Sequence, residues 1–478
     1  MIQTIIHNYQ DTVIYYFTAV NMFYIILLIN AFFTIFLRMR KFENKRIDQL
    51  LQSEAVPAIG IIVPNYNEEG NVIFCIQALL NLSYRCKQII IVNDGSTDKS
   101  LEILKSTFKL TYVHRGYIET IKTATVRGYY HSLIYPNLTV IDKENGGRAD
   151  AINVGINACS SDYFLTIDAD TVIDNYYMTF LMRHIIINPQ YAGYGAAIRV
   201  ANGCTVGLSG IESIHFPRTY FGGLQAVEYL RAFYMGRMGF EPFGGGMLIS
   251  GAFSIYRTNF ARTIVKGFDT NTLGEDLEMC THTKRERYIR HMNPKTSYVP
   301  QPVCWTEVPE NYRDFAKQRT RWQIALMEVV WKHRGMFFNP RYGWAGMVSF
   351  PYLVLVEFLA PLIESLSYLA ILVAACFGIF DWGYYVLFFL ITWGFTFIIN
   401  INCCLIEVLS FKKYFSYKDI QRMFLYSFME NLGFRQLYLW WRLKAFFEIF
   451  QSRESWWAGW KKSGFTAMKV EGERGKKQ

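Results

Sequence analysis

Three carboxylates define the chemistry open to this chain. Asp168-Ala169-Asp170 sets two of them one residue apart, directly after the apolar run Tyr163–Ile167. Such a pair suits a hard divalent cation that keeps several waters and bridges phosphate oxygens. The third, Asp276 in Gly274-Glu275-Asp276, can take the proton of an attacking hydroxyl. Upstream, Asn93-Asp94-Gly95-Ser96 follows a second apolar run, Gln88–Val92, and its glycine lets the backbone approach a ligand closely. Downstream, Gln318-Arg319-Thr320-Arg321-Trp322 joins guanidinium forks that fit pyrophosphate oxygens to a flat apolar ring. Each motif alone is weak. Asn-Asp-Gly-Ser is a good turn sequence, Asp276 with Glu278 behind it is a good helix start, and an Arg-Trp helix also lies well on lipid.

The elements that must position these residues alternate in type. Ala58–Val63 is a β-rich run ending at Pro64, and Asn71–Leu82 has helical periodicity. Gln88–Val92 is a second buried strand, and Lys99–Ser106 starts a helix. Asn137–Ile141 leads through Asp142-Lys143-Glu144-Asn145-Gly146-Gly147-Arg148 into a helix over Ala149–Ala158, and Tyr163–Ile167 is a further strand. This alternation predicts an α/β fold, a mostly parallel sheet with helices on both faces. Ligands of such sheets sit at the carboxyl ends of the strands, where the acidic loops fall. Residues 107–137 carry a weaker pattern that includes one or two strands. Glu278–Arg290 reads as a helix, and Trp305–Val330, rich in charge and aromatics, as a segment along a membrane face.

The apolar residues, 51% of the chain, are unevenly spread. No Lys or Arg occurs in residues 1–37 or 342–411, and the runs Val13–Leu37, Trp344–Phe380 and Tyr384–Leu409 lie within those gaps. Each is long enough to cross a hydrocarbon core of ~30 Å. Arg38, Arg40, Lys41, Lys45 and Arg46 follow the first run; Lys412, Lys413 and Lys418 follow the third. By the positive-inside rule, the block between spans one and two is cytoplasmic and the later pair forms a hairpin. Gln421–Phe450 holds Arg422, Glu430, Arg435, Arg442 and Lys444, which favours an interfacial amphipathic helix over a further span. Trp456, Trp457, Trp460, Lys461 and Lys462 look like an interface anchor. The net charge of +10 is met by this bias and by attraction to anionic lipid; no basic stripe points to nucleic acid. Nine cysteines without a Cys-x-x-Cys imply neither a zinc site nor a disulfide framework.

In this order, with membrane segments on either side, the motifs resemble the membrane-bound family-2 glycosyltransferases. These are the synthases of poly-N-acetylglucosamine, hyaluronan, cellulose and nodulation-factor chitin oligomers. The resemblance covers roughly residues 57–340. It implies a cytoplasmic glycosyltransferase-A-like domain over 57–340, flanked by transmembrane segments at 13–37 and 344–409, an interfacial segment at 421–462 and a polar tail at 463–478. It further implies that Asn67, Glu68 and Asp94 shape the nucleotide pocket and that Lys143 and Arg148 add phosphate contacts. Asp168 would contact nucleotide and metal, Asp170 would ligate Mg2+ or Mn2+, and Asp276 would be the general base. Gln318, Arg319, Arg321 and Trp322 would hold the donor diphosphate and the acceptor sugar. The activity implied is inverting transfer from a UDP-sugar, with UDP-N-acetylglucosamine favoured, into a β-linked glycan at the inner membrane face. Alternatives are a non-processive transferase onto a lipid carrier and a non-catalytic membrane scaffold. Expected partners are the growing glycan or a lipid-linked acceptor and membrane lipids. Three spans fall short of a full channel, which adds export or accessory membrane subunits to that expectation.

Overall fold

The computed structural model describes residues 2–41, 56–84, 87–114, 119–207, 210–290, 295–378, 381–411 and 416–449. Lys45, Arg46, Lys412, Lys413, the Trp456–Lys462 anchor and the tail at 463–478 lie outside the described residues. The chain divides into two compact units. A sheet unit comprises Leu37–His215 and Gly244–Val308, and a helical unit comprises Met1–Phe36, Phe216–Phe243 and Pro309–Trp460. Residues 216–243 and 309–340 group with the apolar helices.

The sheet unit follows from its apolar runs. Strands β1 (Ile59–Asn65), β2 (Lys87–Asp94), β5 (Leu138–Lys143) and β6 (Tyr163–Ile167) are buried almost throughout. Continuous β-branched runs of this kind belong to strands covered on both faces. Ile61, Ile62, Ile90 and Ile91 have no solvent exposure, and each contributes about 1.5–3 kcal/mol by leaving water. These four strands pair in parallel in the order β5-β2-β1-β6. Antiparallel strands flank them: β3 (Leu110–Tyr112) and β4 (Val126–Ser132) on one side, and β11 (Phe253–Arg257) on the other. Beyond β11 come β8 (Gly193–Val200), β12 (Thr296–Thr306) and β7 (Thr171–Ile173), completing a sheet of 10 strands. The α/β class holds, and the sheet is mixed: the four central strands run parallel, and so do β8 and β12 beyond β11. β9 (Thr205–Gly207) and β10 (Gly210–Ser213) form a separate ribbon.

Register gathers the functional loops. Asn65 pairs with Asn93, Asn93 with Asp142, and Asp94 with Lys143, so β1, β2 and β5 end level. The chain runs outward from β1 to β2 and β5, then returns to β6 on the other side of β1. That reversal makes the carboxyl ends of β1 and β6 the crevice where a sheet of this kind takes its ligand.

In the helical unit, three helices are long and apolar enough to cross a membrane: His7–Arg38, Ala345–Cys376 and Trp382–Ser410. The second contains Pro351 and Pro361; Pro361 has no N–H for the Glu357 carbonyl four residues back, and Arg442 donates to that carbonyl instead. The expected single helix over Gln421–Phe450 is two helices, Tyr417–Met429 and Arg435–Glu448. They break at Leu432-Gly433, where Gly433 has φ 84°, a left-handed conformation that glycine alone adopts freely. Arg435 forks onto Glu364 and Arg442 donates to Gln323 at 2.8 Å. The charges that argued for an interfacial helix are thus spent on partners within the unit.

Candidate active site

The nucleotide-side loops are fixed by short polar contacts at the strand ends. Asn67 takes φ 54°, and its side-chain oxygen accepts from the Thr97 N–H at 2.8 Å, lacing the β1 loop to the β2 loop. Glu68 accepts from Asn71 at 3.2 Å, and its backbone N–H donates to Ser100. Asp94 is buried, and its two oxygens accept from the Gly146 and Gly147 N–H groups at 2.9 and 2.8 Å. Lys143 also donates to Asp94, and pairs with Asp150 at 2.8 Å with no side-chain exposure. This differs from the solvent-facing phosphate contact expected of Lys143: two carboxylates enclose its ammonium. Asp94 ties the β2 loop to the loop after β5, and its side chain is occupied by that task.

A second cluster centres on Arg148, at the start of helix Arg148–Ala158. Its Nε donates to Asp168 Oδ1 at 2.8 Å, its Nη1 to Glu275, and its Nη2 to the Gly251 carbonyl at 2.8 Å. Burial works against the guanidinium charge, but Asp168 and Glu275 outweigh it and hold the pKa above its ordinary value. Asp276 lies in the first turn of helix Glu275–Ile289, one turn earlier than the helix expected from Glu278. Its Oδ2 accepts from the Gly251 N–H and its Oδ1 from the Leu277 N–H, both at 2.8 Å. Three acidic residues in that first turn also complement the positive end of the helix dipole. Arg148, Asp168, Gly251 and the Glu275-Asp276 pair therefore converge from four chain segments. Asp170 lies two residues on from Asp168 and is 5% exposed.

Among the described residues, no group of three or more His, Cys, Asp or Glu side chains could hold a metal alone. Asp168 and Asp170 supply hard oxygen donors of the type Mg2+ or Mn2+ takes with water and phosphate oxygens completing its shell. The donor set fits such an ion.

The Gln-x-x-Arg-Trp motif lies on helix Tyr312–Lys332 of the helical unit. Arg319 is fully buried, forks onto Glu228 at 2.7 and 2.6 Å, and stacks on Phe315, Trp322 and Tyr438. A guanidinium so enclosed differs from the diphosphate ligand expected there. Gln318 and Arg321 are half-buried, and Trp322 is 40% exposed. Sequence reasoning missed Asp150, Glu228, Glu275 and the Gly251 backbone as partners. Their separations from the residues they serve run to 127 positions, and no local pattern links them.

Comparison with known proteins agrees with this architecture. The family model for glycosyl transferase family 2 matches residues 60–264, and that for glycosyl transferase family group 2 matches residues 163–399. A poly-beta-1,6-N-acetyl-D-glucosamine synthase of Staphylococcus epidermidis is 25% identical over 303 residues, 63% of this chain and 62% of that protein. One from Staphylococcus aureus is 27% identical over 290 residues, 60% of this chain and 58% of that protein. The chain thus spans 58% to 62% of the length of these curated relatives. Among solved structures, the mannosyltransferase PcManGT from Pyrobaculum calidifontis, in complex with GDP-Man and Mn2+, is 14% identical with a TM-score of 0.48, covering 87% of this chain and 99% of that one. The two family matches overlap and together run unbroken through every carboxylate of the site: the chain belongs to glycosyltransferase family 2.

Proposed function

We propose that the protein is an inverting, metal-dependent transferase that takes UDP-N-acetylglucosamine and builds a β-linked glycan at the cytoplasmic face of a membrane. The observation that carries the reading is the convergence of Asp168, Arg148 and Asp276 beside the sheet's reversal point. The names of the relatives at 25% and 27% identity support the sugar and the polymer. Three apolar helices and the basic residues after the first and third support the membrane location and its orientation.

In this reading Asn67, Glu68 and the Asp94-anchored loops frame the nucleotide. Asp168 and Asp170 hold Mg2+ or Mn2+, which supplies charge stabilisation to the departing diphosphate. Asp276 accepts the proton of the acceptor hydroxyl as its oxygen attacks the anomeric carbon. The new carbon–oxygen bond forms on the face opposite the breaking bond to phosphate, and UDP leaves. One carboxylate suffices, since inversion needs no covalent intermediate. Trp322 offers the acceptor sugar an apolar face, and Arg321, with Gln318 on the same helix, meets the donor diphosphate. Lys143 and Arg319 act as scaffold.

The test is purified protein in nanodiscs, given Mg2+ or Mn2+ and each UDP-sugar in turn, with products sized and released UDP counted. Extended products from UDP-N-acetylglucosamine are expected. Asp170→Asn should remove turnover while folding and insertion persist. Turnover that survives chelation of divalent metal would overturn the metal assignment. A single sugar added to a lipid and never extended would replace the polymer reading with a lipid-carrier transferase.

A further inference from the structure

Asp276 is held at both oxygens, and one of the two holds comes from outside its own helix. The Leu277 N–H that meets Oδ1 belongs to the helix start, but the Gly251 N–H that meets Oδ2 at 2.8 Å comes from the loop before β11. The carbonyl of that same residue accepts from Arg148 Nη2 at 2.8 Å. Arg148 also donates to Glu275, the neighbour of Asp276, whose side chain is 10% exposed. The guanidinium therefore grips both the loop and the helix that present the carboxylate.

Residue 251 has little freedom of type. A Cβ there would stand 3.2 Å from Asp276 Oδ2 and 3.3 and 3.4 Å from Arg148 Nη1 and Nη2. Any side chain pushes the carboxylate and the guanidinium apart by tenths of an ångström. A shift of that order matters for proton transfer, because misplacement by ~1 Å can slow a reaction about a hundredfold.

We propose that Arg148 and the Gly251 backbone form a relay that fixes the orientation of the Asp276 carboxylate, making Arg148 a positioning residue for the proton-accepting group. The proposal rests on the reading of Asp276 as the general base. Arg148 acts through the Gly251 carbonyl and Glu275, and its link to Asp168 sets the relay against the donor-side carboxylate as well. Base and donor carboxylate are thereby held in one frame.

The experiment measures single-turnover transfer from radiolabelled UDP-N-acetylglucosamine, alongside UDP affinity, for Arg148→Lys, Arg148→Ala, Gly251→Ala, the combination of Arg148→Lys with Gly251→Ala, and Asp276→Asn. Arg148→Lys keeps the charge but loses the fork, and should slow transfer about thirtyfold with UDP affinity within about threefold of wild type. Gly251→Ala should slow it about tenfold, again with UDP affinity kept. The double variant should be little slower than Arg148→Lys, since both break one relay. Added guanidinium should restore part of the rate to Arg148→Ala; UDP binding by the same sample reports that it is folded. If UDP affinity falls by the same factor as the rate in Arg148→Lys, or Gly251→Ala transfers at the wild-type rate, the relay is wrong. Asp276→Asn separates the two ideas: an active Asp276→Asn enzyme removes the base reading and the relay with it, whereas an inactive one with normal UDP binding leaves the relay to be judged on its own variants.

Discussion

Arg148 and Arg319 are both charged, both matched to carboxylates, and built for different ends. Arg148 reaches three chain segments and keeps 19% of its side chain in solvent; Asp168 beside it keeps 33%. Arg319 meets one carboxylate, is sealed by three aromatic rings and has no exposure. The first has the marks of a working site: open on one side, and joining parts that must stay in register. The second is a buried ion pair that orients one helix against another. Burying both charges has a desolvation cost that only the completed pair offsets. An arginine in a recognisable motif is therefore not by itself a ligand. Its partners decide.

Removing the proposed base should have the largest effect on this contrast. Asp276→Asn is expected to lower the transfer rate by about 10³-fold with UDP affinity nearly unchanged. Loss of UDP binding in step with turnover would make Asp276 a donor ligand and place the proton acceptor elsewhere.

Next in size is the sealed pair. Arg319→Ala strands Glu228 and should destabilise the protein by about 3 kcal/mol, seen as a lower midpoint of thermal unfolding in detergent. The combined Arg319→Met and Glu228→Leu variant should recover most of that stability and most of the activity. A stable but inactive double variant would show that the guanidinium meets substrate after all.

Trp322→Ala should leave UDP binding alone and shorten the products, because the exposed ring offers a sugar a face and not a charge. Products of unchanged length would move the acceptor platform elsewhere.

The smallest expected effect lies far from the chemistry. His184 is buried, and its Nε2 meets the Ser297 hydroxyl at 2.9 Å. Burial, then Arg38, push its pKa well below the ordinary 6.5. Folded and unfolded chains agree in protonation above pH 6.5, so its contribution is complete there. Below that pH the unfolded chain takes up a proton that the folded one refuses, and stability falls by at most ~1.4 kcal/mol per pH unit. His184→Gln should flatten this slope; an unchanged slope would assign it to other groups.

The parts legible in the sequence are those where local pattern decides. Tyr163–Ile167 is a strand from end to end as expected, and the β2 and β5 strands lie within two residues of their apolar runs. Each acidic loop follows its strand because Gly and Asp stop apolar alternation. The break at Gly433 was written in one residue inside a charged, apolar stretch, where overall amphipathicity hid it. Residues 107–137 blurred because β3 is an edge strand and β4 lies next to it, with exposed and buried positions mixed. The Arg148 cluster was beyond reach. Asp168, Gly251 and Glu275 lie 20, 103 and 127 positions from the arginine, and only the folded sheet brings them together.

The paired carboxylates are held from both ends, and both ends rest on strands far away in the chain. β6, before Asp168, joins β1, and β7, after Asp170, pairs with β12, through Thr171 opposite Thr306. Those threonine hydroxyls meet at 3.3 Å across 135 residues, and between them the chain leaves the sheet unit for Phe216–Phe243 and returns. Closing so long a loop has an entropic cost that nearby pairings such as β1 with β2 avoid, and slow folding follows from distant contacts. The loop carrying Asp168 and Asp170 is therefore among the last parts of the sheet to set. A nascent chain gains the pairing of β1 with β2 early and the geometry of its Asp168–Asp170 loop late. In pulsed hydrogen exchange during refolding, amides of Thr171–Ile173 should gain protection after those of β1 and β2.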